Sequence, residues 1–398
     1  MLEGWSRFLT YCYIFIFDNE IHEMLIVDIV NIWLLEGEDC SIALSVARSI
    51  AKDKRFHIHV ISSNKQSLLT FSRAKKSFQQ LPENSSEWVA FISDKIVGLK
   101  EKRRNVLIPC DERLTRFIIQ HKVELSEFCI VQDVPELELF DIARNKGALS
   151  LMLEEQGIAH PKTVRCSSLK QYHDVEKQLN YPFLYKPVHG AGGKGIFLVE
   201  NRDELKALKG KAEACILQEY IKGVDFGGNV FCLNGEVLYC KVQKDDVNKD
   251  NPFEPSRNIE FIDYPEAEAL LRELMRALKW SGVAHVDMRR DAKTGQLYII
   301  EINARYWGSL LGATSIGVNF PLIAINRVLG CSYKPMELYG RYLVATDALL
   351  HYIGICRQKG GFSKSGLPFF FADPAPQLFR AFLRVVNKIK GKNKSIKT

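Results

Sequence analysis

Apolar residues recur along this chain with two different periods, and the changes of period mark its elements. Ile29 to Leu35 is a nearly continuous apolar run that reads as a buried strand. After EGEDC, the stretch SIALSVARSIA carries aliphatics at helical spacing, and FHIHVIS reads as a second strand. RNVLIPC, with Val106 to Ile108 at its centre, precedes the amphipathic DERLTRFIIQHK and repeats the alternation. Strand and helix in turn predict a doubly wound parallel sheet with helices on both faces, because parallel neighbours are joined only through a crossover.

Near Asp141 the organisation changes. DIARNKGALSLMLEEQG is predicted as one helix stopping at Gly157, with a proline soon after in IAHPKT. CILQEYI is a strand, and GNVFCLNGEVLYCKVQ alternates on either side of Asn234-Gly235, the signature of a tight hairpin. YPEAEALLRELMRALKWSG is an amphipathic helix expected to end at Gly282. VAHVDMRRDAKTGQLYIIEINAR is a further hairpin, and GVNFPLIAINRVLG a helix. This second half is antiparallel territory.

Composition changes the picture little. The chain has 398 residues, 46% hydrophobic and 25% charged, which suits a globular protein of two or three domains. Net charge is +7, but Pro374 to Thr398 holds Arg380, Arg384, Lys388, Lys390, Lys392, Lys394 and Lys397 with no acid, and so accounts for the whole excess. Without a DNA-reading motif or aromatics interleaved among those cations, no nucleic-acid partner is expected. Ten cysteines lack any C-x-x-C pair, which favours reduced, mostly buried thiols in a cytoplasmic protein. FLTYCYIFIF and MLIVDIVNIWLL, split by Asp18 to Glu23, are too short to span a bilayer and read as an amphipathic extension over residues 1–28 rather than an anchor.

The candidate chemistry starts at YKPVHGAGGKGIFLVE, residues 185–200. Gly190, Gly192 and Gly195 satisfy G-x-G-x-x-G, but a strand follows instead of the helix that a dinucleotide fingerprint needs. A glycine loop between two strands suits a flap whose backbone N–H groups turn onto phosphate oxygens, although a plain glycine hairpin has the same composition. No kinase H-R-D or D-F-G follows. The late hairpin adds Asp287, Glu301 and Asn303, the last two on one face of their strand. Two carboxylates and an amide oxygen form a hard oxygen set suited to Mg²⁺, whose natural partner is ATP.

Together, NKGALSLMLEEQGIAHPKT, YPFLYKPVHGAGGKGIFLVE, LQEYIKGVDF and GVAHVDMRRDAKTGQLYIIEINARYWGS resemble, in order and spacing, the ATP-grasp superfamily, and within it the branch of the carbamoyl-phosphate synthase large chain. The resemblance implies a pre-ATP-grasp α/β domain at 29–145 and a two-lobed ATP-grasp domain with antiparallel sheets at 146–333. Its flap lobe would span about 165–222, with 334–398 a C-terminal segment. It implies that Lys146 and Lys186 hold ATP phosphates under a flap formed by Gly190, Gly192, Gly193, Lys194 and Gly195. Gln218, Glu219, Tyr220 and Ile221 would meet adenine, Asp225 the ribose hydroxyls, and Asp287, Glu301 and Asn303 one or two Mg²⁺, with Mn²⁺ also compatible. Arg305 would stand beside the transferred phosphoryl group as a catalytic residue together with Lys186. Ala304 replaces the proline of many relatives' E-x-N-P-R signature while keeping both ligands. Arg257 is a further phosphate or substrate candidate; His189 and His285 are assigned no role.

The implied activity is ATP-dependent ligation of a small-molecule carboxylate to an amine, or to a thiol, through an acyl phosphate, with release of ADP and phosphate. The alternative is a regulatory module that binds nucleotide without catalysis. PQLFRAFLRVVNKIKGKNKSIKT, at the C-terminal end, has the pattern of a basic interfacial helix, but packing of its apolar side on the body is preferred to peripheral contact with acidic lipid.

Overall fold

The computed structural model describes residues 29–99, 103–166, 175–190, 193, 195–208, 214–245, 258–335, 340–343 and 365–383. The extension 1–28, Gly192, Lys194, Arg257 and the lysines beyond residue 383 lie outside them. The first half is a five-stranded, all-parallel sheet built from β1 (Val30–Glu36), β2 (Phe56–Ser62), β3 (Lys75–Gln80), β4 (Asn105–Pro109) and β5 (Ile130–Val131). Its strand order is β3-β2-β1-β4-β5. Strand alternation divides β1 between two cores. Ile32 and Leu34 pack with the helix Cys40–Ile50, while Trp33 and Leu35 pack with the helices Trp88–Val97 and Glu112–Gln120. Helices on both faces are thus enforced by side chains of one strand.

The predicted long helix before Gly157 is instead two helices, Leu137–Arg144 and Lys146–Glu155. Asn145 between them is extended (φ −95°, ψ 109°), and its side-chain oxygen accepts from the N–H groups of Gly147 and Ala148. An asparagine satisfies a new helix start better than it continues an old one. The break sets Lys146 at the first position of the second helix, where it serves the site described below.

β6 (Thr163–Cys166), β7 (Phe183–Pro187), β8 (Phe197–Val199) and β9 (Cys215–Glu219) form a small antiparallel sheet, ordered β6-β9-β7-β8. The larger antiparallel sheet contains β10 (Gly223–Leu233), β11 (Glu236–Asp245), β12 (Asn258–Ile262), β13 (Gly282–Asp291), β14 (Leu297–Asn303) and β15 (Gly340–Leu343). Its order is β14-β13-β10-β11-β12-β15. Asn234 and Gly235 turn β10 into β11 with φ of 48° and 86°, as the hairpin signal requires. The helix Pro265–Ala277 ends before the predicted Gly282. Lys279 takes a left-handed φ of 43° and Trp280 is fully buried, so Gly282 already opens β13.

The helix Phe320–Val328 and its shorter predecessor Leu310–Ser315 pack back onto the parallel sheet, sharing its core through Phe320, Ile323 and Leu310. Asn319 donates to Ser49 O at 2.9 Å, and Ser49 Oγ meets Thr314 Oγ1 at 2.8 Å across the same junction. One continuous apolar cluster therefore ties the parallel sheet to the end of the large antiparallel one. No helix among the described residues is long and apolar enough to cross a membrane.

Candidate active site

β13 and β14 pair so that Asp287 faces Glu301 and His285 faces Asn303. On β13, Ala284, Val286 and Met288 enter the core, leaving His285, Asp287 and Arg289 on the other face. β14 would not follow suit if it were regular. Leu297 and Ile299 are core residues, so Glu301 and Asn303, at the same parity, would be buried with them. A bulge at Ile300 prevents this: Met288 pairs with Ile299 while Asp287 pairs with Glu301. The extra residue reverses the alternation, sending Ile302 into the core and both polar side chains onto the face of Asp287.

Asn303 Nδ2 donates to Asp287 Oδ2 at 2.9 Å, and its Oδ1 accepts from Arg305 Nη2 at 3.1 Å. His285 Nε2 lies 3.1 Å from Asp287 Oδ1, and Nδ1 lies 2.7 Å from Asn229 Oδ1. Trp307 stacks on the imidazole. Gly227, opposite Asp287 on β10, leaves room for that ring, since a Cβ there would stand 2.6 Å from His285 Cε1. Burial pushes the Asp287 carboxyl up, but the hydrogen bond and charge of His285, with further donors around it, hold it below its ordinary value. Glu301 goes the other way: burial and the neighbouring Asp287 charge raise it against the pull of Lys146 and Lys186.

The glycine loop spans β7 and β8, with φ of 140° at Gly190, 74° at Gly193 and 76° at Gly195, conformations that side chains resist. In β7, Phe183 and Tyr185 enter the core of the small lobe, so Leu184 and Lys186 face the opposite way. Lys186 is only 4% exposed and donates to Gln218 Oε1 on β9 at 2.7 Å; Gln218 Nε2 in turn donates to Thr163 Oγ1 at 3.0 Å. Burial lowers the Lys186 ammonium to about 8, opposed mainly by the Glu301 carboxylate.

Lys146 closes the arrangement from a third direction. Its Nζ donates to Gly190 O at 2.9 Å and lies 3.2 Å from Glu301 Oε2, while its backbone N–H donates to Val188 O at 3.2 Å. Lys146, Pro187, His189, Gly190, Gly193, Ile196 and Glu301 line one narrow crevice. The loop and the far hairpin, remote in sequence, thus meet.

Of the predicted residues, Lys146, Lys186, Gly190, Gly193, Asp287, Glu301, Asn303 and Arg305 converge here. Gly195 packs instead behind the loop, where a Cβ would stand 3.0 Å from Pro187. The Gln218 side chain is turned to Lys186, and Glu219 is exposed, with Oε2 accepting from Lys162 N–H at 3.3 Å. Ile221 is buried. Asp225 pairs with Arg289 Nη1 at 3.5 Å, and the Arg289 guanidinium lies over the Tyr220 ring. Arg305 also donates to Tyr306 O at 2.8 Å and lines a second crevice with Pro109, Thr115, Gln132 and Asp133, at the carboxyl ends of β4 and β5. The guanidinium therefore borders the parallel sheet as well as the hairpin.

Asn229 and Arg289 were not singled out in the sequence, and His285, assigned no role there, holds Asp287. His285 and Arg289 stand two residues either side of Asp287, a spacing that puts all three on one strand face and could have flagged them. Asn229 becomes relevant only once β10 is paired with β13.

Known proteins resemble this chain over the part that carries these residues. The ATP-grasp domain family matches residues 143–309. A D-aspartate ligase from Enterococcus faecium (strain Aus0004) is 26% identical over 249 residues, covering 55% of this chain and 57% of that protein, so the match spans little more than half of its length. Among solved structures, N5-carboxyaminoimidazole synthetase from Staphylococcus aureus complexed with ADP superposes with a TM-score of 0.64 at 16% identity, over 81% of this chain and 85% of that one. L-amino acid ligase from Bacillus licheniformis gives 0.58 at 19% identity, over 77% and 75%. The family match lies across the glycine loop and both strands of the acidic hairpin, so residues 143–309 carry an ATP-grasp domain.

Proposed function

We propose that the chain is an ATP-dependent ligase that joins a small-molecule carboxylate to an amine and releases ADP and phosphate. The observation that carries this reading is the Lys146 ammonium, held between the Gly190 carbonyl of the loop and the Glu301 carboxylate of the hairpin. A cation placed there would exchange its loop contact for phosphate oxygens, with Lys186 beneath them and the loop above. The main chain of Glu219 to Ile221 would meet the adenine, and Asp225, steadied by Arg289, the ribose.

The donor set fits a divalent cation. Asp287 and Glu301 face each other across one strand pair, and burial first, then the Asp287 charge, raise the Glu301 carboxyl, a strain that a cation between the two would relieve. Asp287 and Glu301 would hold Mg²⁺, and the Asn303 amide oxygen would join them by turning from Arg305. When bound, the ion neutralises charge on the transferred phosphoryl group.

The chain's own side chains supply the rest. Lys146 and Lys186 fix the triphosphate, and Arg305 offsets charge as a substrate carboxylate oxygen attacks the γ-phosphorus and the bond to ADP breaks. The amine then attacks the acyl carbon, phosphate leaves, and the amine loses a proton. A closed loop excludes water from the acyl phosphate. Arg305 borders both the hairpin and the crevice at the ends of β4 and β5, so that edge of the parallel sheet forms one wall of the acceptor side.

The test is ADP release with Mg²⁺ across a panel of carboxylates and amines. The names of the D-aspartate ligase and the L-amino acid ligase recommend starting with amino acids. Release that requires both a carboxylate and an amine supports the ligase. Nucleotide binding without carboxylate-dependent ADP would favour the regulatory alternative instead.

A further inference from the structure

The sequence reading favours packing of the C-terminal segment's apolar side against the body, and the structure divides that side in two. Phe379 packs on Phe71, with ring centroids 4.3 Å apart, and joins the adjacent core. Leu378 and Phe382, one turn apart in the helical residues 375–383, stay 58% and 61% exposed, and Phe71, against Phe379, is 45% exposed. This is not the exposure of a detached tail. Asp373 is buried and pairs with Arg48 at 3.3 Å, accepts from Ser72 Oγ at 2.7 Å and accepts from Arg73 N–H at 2.9 Å. Arg48 also donates to Gln377 Oε1 at 2.6 Å. A buried ion pair therefore fixes the segment with its apolar side chains outward.

Charge indicates what covers them. Asp373 is the only acid in residues 365–383, and it is turned inward, while Lys52, Arg73 and Lys76 are exposed on the adjoining parallel-sheet domain. In sequence, the spacing of Leu378 and Phe382 continues at Val385, Val386 and Ile389, among cations and without an acid through Thr398. A second copy of this chain would bring like charges together in a two-fold contact. A negatively charged apolar surface suits both features at once.

We propose that residues 365–383 dock this protein on an anionic lipid bilayer, Leu378 and Phe382 entering the interface and the cations of this segment and of the adjoining domain meeting headgroups. The proposal is independent of the ligase reading. Its test is flotation of the full chain with vesicles of phosphatidylcholine alone or with about 30% phosphatidylglycerol. Recovery is expected only with the anionic vesicles, and its loss is expected at roughly 0.5 M salt. The double variant Leu378→Asp, Phe382→Asp should bind at least about tenfold more weakly with an unchanged circular dichroism spectrum, since both side chains are solvent-exposed. Absence of flotation, equal recovery on neutral vesicles, or wild-type flotation of the double variant overturns it. In the last case, loss of flotation on deleting residues 1–28 would assign the contact to that segment instead.

Discussion

Lys146 Nζ and Glu301 Oε2 are 3.2 Å apart, joining the start of a helix to the end of the acidic hairpin. Burial and the Asp287 charge raise the Glu301 carboxyl, so its ionised form is held in the fold at a cost. Glu301→Gln should therefore keep or slightly raise the melting temperature at pH 7. If Glu301 holds the metal, the same variant should lower carboxylate-dependent ADP release by at least about a hundredfold, the upper end of what even outer-shell changes cost. Melting curves and steady-state rates on one preparation check both halves, and full activity would falsify the metal assignment.

His285 lies 3.1 Å from Asp287 and 2.7 Å from Asn229, and so sets the rotamer of a proposed metal ligand. His285→Ala should raise the Mg²⁺ concentration needed for half-maximal ADP release by about 10- to 100-fold. Saturating Mg²⁺ should restore most of the rate. An unchanged Mg²⁺ requirement would reduce His285 to a packing residue beneath Trp307.

β1, β2 and β4 were legible because they are buried on both faces and burial writes itself into apolar runs, whereas the half-exposed KKSFQQ of β3 and the two half-buried residues of β5 left no such run. The pairing of loop and hairpin was legible as chemistry, from glycines, lysines and carboxylates in order. The bulge at Ile300 was not, because Ile299 and Ile300 read as a plain apolar pair and only the partner strand reveals which of them is extra. The break at Asn145 was missed for a related reason: apolar spacing runs on across it, and one side-chain cap outweighs the periodicity. In both places the missed detail is what aims a site residue, Glu301 in one case and Lys146 in the other.

Glu36 ends β1 fully buried, with one carboxyl oxygen accepting from Ser67 Oγ and the other, Oε1, without a hydrogen-bond partner among the described residues. Burial raises it to about 7 from 4.5. Between those values the folded state binds more protons than the unfolded one, so this group's contribution to stability falls as pH rises through that window. Glu36→Gln should accordingly be more stable than the wild type at pH 8, by on the order of 3 kcal/mol at most, and about equal to it at pH 4.5. Urea titrations at the two pH values measure the difference; a gain at pH 4.5 as large as that at pH 8 would contradict it.

Lys186 offers a signature of nucleotide binding that needs no turnover. Burial lowers its ammonium from 10.5 to about 8, so near pH 8.5 much of it is neutral in the free protein. A triphosphate laid against it favours the charged form and draws a proton from solvent. Nucleotide binding near pH 8.5 should therefore take up protons, and affinity should fall as pH rises above about 8, whereas near pH 6.5 Lys186 is already charged and contributes no uptake. Calorimetry in two buffers of different ionisation enthalpy reads this directly: the apparent binding enthalpies should differ near pH 8.5, and Lys186→Met should remove that difference while weakening binding. Identical enthalpies in the two buffers for the wild type would mean that the phosphates do not reach Lys186, and its place in the site would have to be given up.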